Sequence, residues 1–246
     1  MSRVERILLM KKIRVITALV CALACIMATP VSATVADYYD TGFLKFNGVY
    51  VNRWGQPIPN VTARGIDVSS YQETIDWAAV ATDDVSFAFI RCGTTNTGPD
   101  KMFDTNAAGA AANGIPFGIY YRSYAPNEEI AKLEAQYTVL CAQNTGASLP
   151  LVMDIEGSTL AALGTAQLQK NIQAWCDVVN AAGYTPMVYT NKTFMNTYIK
   201  SCPCDKWIAQ YSDVFTYSGG AKYWQCSSHG YVNGIPGRVD IDFRLN

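Results

Sequence analysis

The sequence predicts a mixed α/β fold: an irregular, TIM-like (β/α) barrel with about eight strands, fewer helices and a helix-poor end. Three observations predict it. Eight short apolar runs follow one another between Gly65 and Phe243, and most lack polar alternation, as strands buried on both faces do. Stretches of helical periodicity separate the earlier runs, and alternating β and α elements build a parallel barrel. After Trp207 the spacers shrink to loop and hairpin lengths, so closure by irregular or antiparallel strands is expected. No repeat of solenoid period is present.

Taken in order, residues 1–33 read as a secretory signal peptide. Arg3, Arg6, Lys11, Lys12 and Arg14 form a basic region, Val15 to Met27 an apolar stretch of 13 residues, and Val31-Ser32-Ala33 a small-residue cleavage site. That stretch is too short for a membrane span, and Pro30 argues against an uncleaved anchor. Cleavage after Ala33 would leave 213 residues, enough for one large domain. Residues 34–64 form an extension, with Asn47-Gly48 beside Val49-Tyr50-Val51 reading as a hairpin and Pro57-Ile58-Pro59 as a linker.

The main domain is expected over 65–246. Its strands are Gly65–Val68, Phe87–Arg91, Phe117–Tyr121, Leu149–Glu156, Thr185–Thr190, Trp207–Tyr211, Tyr223–Ser227 and Val239–Phe243. Asn127 opens a helix with Glu128 and Glu129 in its first turn, where acids complement the dipole. Ile130, Leu133, Tyr137, Leu140 and Cys141 follow helical spacing, and Gly146 stops the helix. Thr165 opens another, with Leu168, Ile172, Trp175, Val178 and Val179 on one face and Gly183 at its end. Shorter helices fit Ile75–Ala81, Thr105–Asn113 and Lys192–Ile199.

Composition narrows the function. Loss of residues 1–33 would take five basic residues and one acid from a chain of net charge −1, leaving −5. A mildly acidic, Tyr-rich surface lacks the basic patch that nucleic acid requires. Six of the eight cysteines follow the signal peptide: Cys92, Cys141, Cys176, Cys202, Cys204 and Cys226. An exported chain can pair them in fifteen ways, and Cys202 and Cys204 are expected to bond elsewhere than to each other. With one histidine, His229, a zinc site is the weaker reading.

The chemistry is expected at the C-terminal ends of the strands. Leu149-Pro150-Leu151-Val152-Met153-Asp154-Ile155-Glu156-Gly157 ends in two carboxylates two residues apart. Strand alternation puts Asp154 and Glu156 on one face, with Cα atoms about 6.5–7 Å apart. Like charges that close favour one protonated and one ionised carboxyl, the equipment for cleaving a glycosidic bond. The other strand ends offer Asp67; Arg91; Tyr120 and Tyr121; Tyr189; Gln210 and Tyr211; Trp224 and Gln225; Asp240 and Asp242. Asp67 lies inside an apolar strand and needs a partner or a role, which includes capping a turn with Ser69 or Ser70. Arg91 fits a structural ion pair as well as substrate contact, and the aromatics fit the core as well as a sugar-stacking surface.

The chain resembles the glycoside hydrolase family 25 lysozymes, the N-acetylmuramidases. The motifs are Gly65-Ile66-Asp67-Val68-Ser69-Ser70-Tyr71-Gln72, Val152-Met153-Asp154-Ile155-Glu156, Trp207-Ile208-Ala209-Gln210-Tyr211 and Gly237-Arg238-Val239-Asp240-Ile241-Asp242-Phe243. Phe117-Gly118-Ile119-Tyr120 and Val188-Tyr189-Thr190-Asn191 are also similar. The resemblance implies hydrolysis of the β-1,4 bond between N-acetylmuramic acid and N-acetylglucosamine in peptidoglycan. It implies Glu156 as general acid, Asp154 as the paired carboxylate, Asp67 and Asp240 as further acids, and Tyr120, Tyr189 and Trp224 on the groove. Tyr121, Arg91 and Gln210 complete the expected substrate contacts. Two departures stand out: Tyr121 where many relatives carry His, and Asp242 where many carry Asn.

The expected protein is thus a secreted, wall-associated monomer that acts on glycan strands without metal or organic cofactor and, once its signal is cleaved, without a membrane. Asp154 would attack directly, or would assist the substrate's own acetamido group. The rival readings are a non-catalytic peptidoglycan- or chitin-binding barrel, a glycosidase of other specificity, and a Cys/His hydrolase.

Overall fold

In the computed structural model, residues 42–246 are described; the expected signal peptide and the start of the extension lie outside them. The chain opens with a hairpin, β1 (Leu44–Phe46) and β2 (Val49–Val51). Asn47 and Gly48 take φ of 49° and 83° at its turn, the left-handed pair that a two-residue hairpin loop demands. The hairpin is anchored by Phe43 and Tyr50, whose rings pack edge-on against Phe243.

Eight strands close a barrel. They are β3 (Val61–Val68), β4 (Ala88–Thr94), β6 (Phe117–Arg122), β7 (Leu151–Asp154), β8 (Pro186–Asn191), β9 (Asp205–Ala209), β10 (Tyr223–Gly230) and β11 (Val239–Leu245). Neighbours from β3 through β4 and β6 round to β10 pair in parallel, whereas β11 runs antiparallel between β10 and β3. A two-residue strand, β5 (Gly98–Pro99), pairs antiparallel with the end of β4. All eight expected runs are strands, with the helix-poor, antiparallel closure at the end. The first begins at Val61, so the expected boundary at residue 64 falls inside it.

The helices are α1 (Trp77–Val80), α2 (Phe103–Ala112), α3 (Glu128–Gln143), α4 (Ser158–Ala161), α5 (Thr165–Ala181) and α6 (Lys192–Phe194), which runs into a π turn over Met195–Ile199. Asn127 caps α3 by accepting from the Ile130 amide at 3.0 Å. The inward face of α3 differs from expectation. Leu133 and Leu140 are exposed, and Ala131, Glu134, Ala135, Thr138 and Ala142 are buried. The small residues bring α3 close to its neighbours, and buried Glu134 is satisfied by the hydroxyls of Thr95 and Ser123. Apolar spacing alone missed that stripe because its members are small or polar.

Strand alternation separates two packed regions. Outward residues such as Ile66, Ile90, Ile119, Met153, Val188 and Ile208 meet the helices. Inward residues Phe87, Phe89, Tyr120, Val152, Met187, Trp207 and Tyr223 fill the barrel. Phe89 stacks on Trp207 with centroids 4.6 Å apart. This plug needs two glycines: a Cβ at Gly65 would come within 2.4 Å of the Phe87 ring, and one at Gly118 within 2.5 Å of Phe89. Polar side chains are thereby confined to one end of the barrel interior, above the aromatic floor.

Candidate active site

At the C-terminal ends of the parallel strands lies a cleft of about 200 Å³. Each strand contributes through its inward positions. β3 gives Asp67, β4 Arg91, β6 Tyr120 and Arg122, and β8 Tyr189. Strand β7 ends at Asp154, and Glu156 follows two residues later, so both carboxylates reach the cleft. β10 supplies Gln225 and β11 Asp240.

Arg122 ties the two carboxylates together. Its Nη1 lies 2.5 Å from Glu156 Oε1 and 3.8 Å from Asp154 Oδ2, which keeps those two oxygens within about 6 Å of each other. Its Nε donates to the Tyr124 hydroxyl at 3.0 Å. Asp154 is buried, and its Oδ1 has no hydrogen-bond partner. Burial, and then the charge of Glu156, push Asp154 well above the usual carboxylate range.

Gln225 organises the opposite wall. Its Oε1 accepts from the hydroxyls of Tyr189 at 2.7 Å and Tyr211 at 3.0 Å. Its Nε2 donates to Asp67 at 2.7 Å and Asp240 at 3.1 Å. Asp67 and Asp240 are paired residues of antiparallel β3 and β11, and Asp242 follows two positions on, facing the same interior. Asp242 Oδ1 accepts from Trp207 Nε1 at 2.8 Å, while its buried Oδ2 has no donor. Burial leads in raising all three. Asp240 and Asp242 reinforce it at Asp67, Asp240 reinforces it at Asp242, and Glu156 helps push Asp240 to about 7. A neutral Asp242 has the shape of the Asn that many relatives of the resembled family carry there, which gives that departure a physical account.

These acids hold their protons more tightly folded than unfolded. Their stabilising contribution is therefore complete below about pH 4 and is lost as pH rises through about 7, the Asp240 value, and beyond. The melting temperature is expected to fall by about 5 °C between pH 5 and pH 8, and Asp242→Asn is expected to shrink that fall. Thermal unfolding across the window measures it; a flat profile, or a fall identical in the variant, would contradict the account.

Of the expected site residues, the structure brings Asp67, Arg91, Tyr120, Asp154, Glu156, Tyr189 and Asp240 together around the cleft. Arg91 is held by Asp100 at 2.7 Å and by the Ser70 hydroxyl at 3.2 Å, so it is structurally engaged at the cleft edge. Tyr121 and Trp224 do not reach the cleft. Tyr121 faces outward against Tyr137 and Trp175, and Trp224 is fully buried against Phe43, Phe215 and Phe243. Each is adjacent in sequence to an inward residue, Tyr120 or Gln225, and adjacent strand residues point oppositely. Gln210 lies beside the cleft, where its amide bonds Ser212, Val214 and Thr216 and shapes the loop after β9. Arg122 is the central residue that the expectation left out, and Gln225 was counted among the strand-end residues but given no role; the same alternation points to both.

The loop after β9 is also braced by the extension. Asp213 accepts from Arg53 Nε at 2.6 Å and Trp54 Nε1 at 2.8 Å. The same loop carries Tyr211, which is 58% exposed and lines the cleft, as does Tyr71, 82% exposed. Among the described residues no cysteine or histidine lines the cleft, which counts against the Cys/His reading. Among the described residues no cluster of His, Cys, Asp or Glu has the arrangement of a metal site, and no helix is long and apolar enough to cross a membrane.

A closed β/α barrel whose mouth gathers a close carboxylate pair, further buried acids and exposed aromatics defines a glycoside hydrolase. The chain belongs to glycosyl hydrolases family 25, whose sequence profile matches residues 66–235. It is 30% identical over 248 residues to the protein YegX of Escherichia coli K12, covering 92% of this chain and 89% of that one. Lysozyme M1 of Streptomyces globisporus is 28% identical over 204 residues, covering 75% and 68%. The modular autolysin LytC of Streptococcus pneumoniae, solved with a synthetic peptidoglycan ligand, superimposes with a TM-score of 0.72 at 26% identity. That match covers 82% of this chain but 52% of LytC, so the chain spans about half the length of that autolysin.

Proposed function

We propose that this glycoside hydrolase is an exported lysozyme that cleaves the β-1,4 bond between N-acetylmuramic acid and N-acetylglucosamine in peptidoglycan. The observation that carries the reading is the Asp154/Glu156 pair at the end of β7, set in a cleft walled by Asp67 and Asp240. The similarity to Lysozyme M1 and to LytC supports the substrate class. Residues 1–33 serve as the export signal, 34–64 as an extension, and 65–246 as the catalytic domain, acting as a monomer at the cell wall.

Glu156 protonates the bridging oxygen as the glycosidic bond breaks. A carboxylate held by a guanidinium is no proton donor, so the Arg122 contact opens before this step. Positive charge then develops at the anomeric carbon. The substrate's 2-acetamido oxygen attacks that carbon, and Asp154 accepts the acetamido N–H to orient and polarise the group. The free Oδ1 of Asp154 supports this role, since a buried acceptor without a donor awaits one. The close oxygens also favour it, because an inverting pair keeps its carboxyls about 6.5–9.5 Å apart to admit water. Water attack on the cyclised intermediate, with Glu156 as base, returns the enzyme and retains configuration.

Reducing-end analysis of digested peptidoglycan tests the reading. New muramic-acid reducing ends are expected. Glucosamine ends would assign the other bond, and no new ends with wall binding intact would favour a binding module.

A further inference from the structure

Five of the six described cysteines converge in two groups away from the cleft. Cys92, on the outer face of β4, points at α3. Its sulfur lies 3.8 Å from Thr138 Oγ1, one helical turn before Cys141, and the Cys92 and Cys141 thiols are near enough to shift each other's titration. Cys92 is fully buried and Cys141 half-buried. In the second group, Cys176 sits on the buried face of α5 and Cys204 directly precedes β9. The Cys204 sulfur lies 3.1 Å from that of Cys202, and Cys176 is near enough to push the Cys204 thiol up. The five cysteines of these groups are free thiols here.

We propose that these groups are two disulfide sites, Cys92–Cys141 and Cys176–Cys204, each fastening one long helix to the barrel. The proposal rests on the export reading, because disulfides persist in oxidising compartments. The preference for Cys176 over Cys202 follows from chain topology. A Cys202–Cys204 bond closes a ring of three residues, whereas Cys176–Cys204 closes 29 and Cys92–Cys141 closes 50, and longer closures restrain the unfolded chain more. Cys202 is then the neighbouring thiol, and Cys226, bonded to the Ile241 carbonyl at 3.3 Å, stays reduced.

The more accessible sulfur starts each reaction. The Cys141 thiolate, favoured by its neighbour Cys92, attacks the disulfide of an oxidised thiol–disulfide carrier and displaces one carrier sulfur as thiolate. That thiolate takes the Cys92 proton. Cys92 attacks the Cys141 sulfur and expels the second carrier sulfur. Two electrons and two protons pass to the carrier, which leaves as a dithiol. At the second site Cys204, whose thiol its neighbour Cys176 and burial hold up, first gives its proton to base in solution; the same exchange then joins it to Cys176 and releases the carrier as a dithiol.

The test is peptide mapping by mass spectrometry without reduction, on the full chain purified reduced and then treated with oxidised glutathione. Two links are expected, with melting about 10 °C above the reduced protein. Cys202→Ser is expected to keep both links. Cys141→Ser and Cys176→Ser should each lose their own link alone. Complete alkylation of all six thiols, or links between the groups, would overturn the proposal. A Cys202–Cys204 link in place of Cys176–Cys204 would overturn the second site. The same mapping on protein from culture medium separates the two readings: absence from the medium, with both glutathione links formed, counts against export and leaves the pairing standing.

Discussion

Glu156→Gln is expected to lower kcat on peptidoglycan about 10³-fold while KM changes little, the usual scale for losing a positioned proton donor. Gln keeps the length of the side chain, and its amide oxygen still accepts from Arg122, so the cleft retains its shape. Glu156 lies beyond the end of β7 and is partly exposed, so the barrel core is untouched. Its melting temperature is therefore expected within about 2 °C of the parent. Steady-state kinetics with a thermal scan on the same sample measures both. A variant retaining near-parent kcat would remove Glu156 from proton donation and turn attention to Asp240, which burial and Glu156 push to about 7. Equal losses of activity and stability would mean that the carboxylate shapes the cleft rather than donating a proton.

Fold and site were legible to different depths because different forces specify them. Strands came through because burial on both faces leaves uninterrupted apolar runs, and β3 to β11 followed those runs closely. The long helices came through in extent, since Asn127 caps one and glycine ends both, but α3 turned a stripe of alanines, Thr138 and Glu134 inward. Hydropathy ranks Leu133 and Leu140 above those small residues, whereas close approach of α3 to its neighbours selects small ones. At the site, the acids were visible because a carboxylate inside an apolar strand is costly and conspicuous. The aromatics were not so readily sorted. Trp224 is a groove residue by the family resemblance and Tyr121 an expected substrate contact, and the two-residue period of β6 and β10 sends both outward. The same period selects Arg122 and Gln225, whose carboxylate partners Asp154, Asp67 and Asp240 lie on other strands and so leave no local mark.

The carboxylates are also unequal in what surrounds them, and that inequality shapes the division of labour. Asp67, Asp240 and Asp242 share one wall with Gln225 and Trp207 and stabilise one another only when some carry protons. Asp154 and Glu156 share Arg122 instead. Burial raises the carboxyls of the first wall and raises Asp154 too, but at Asp154 the Arg122 cation opposes the shift. A substrate entering between them meets acids gathered by Gln225 on one side and carboxylates gathered by Arg122 on the other.

Asp154→Asn is expected to lower kcat/KM on N-acetylated peptidoglycan about 10²-fold, a loss of about 2.7 kcal/mol of transition-state stabilisation. The side chain keeps its volume and loses the charge that orients and polarises the acetamido N–H. The sharper consequence concerns a second substrate, peptidoglycan whose muramic-acid acetamido groups have been converted to free amines. If Asp154 acts through the acetamido group, the parent enzyme loses activity on that glycan and the substitution adds little further loss. The two changes then fail to add, the signature of groups acting as a unit. If Asp154 attacks the anomeric carbon itself, the parent retains activity on the amine glycan and Asp154→Asn is inactive on both. Measuring kcat/KM for both proteins on both glycans closes the cycle. The unpartnered Oδ1 of Asp154 favours the first outcome, because a carboxylate oxygen without a donor of its own is free to receive the substrate's.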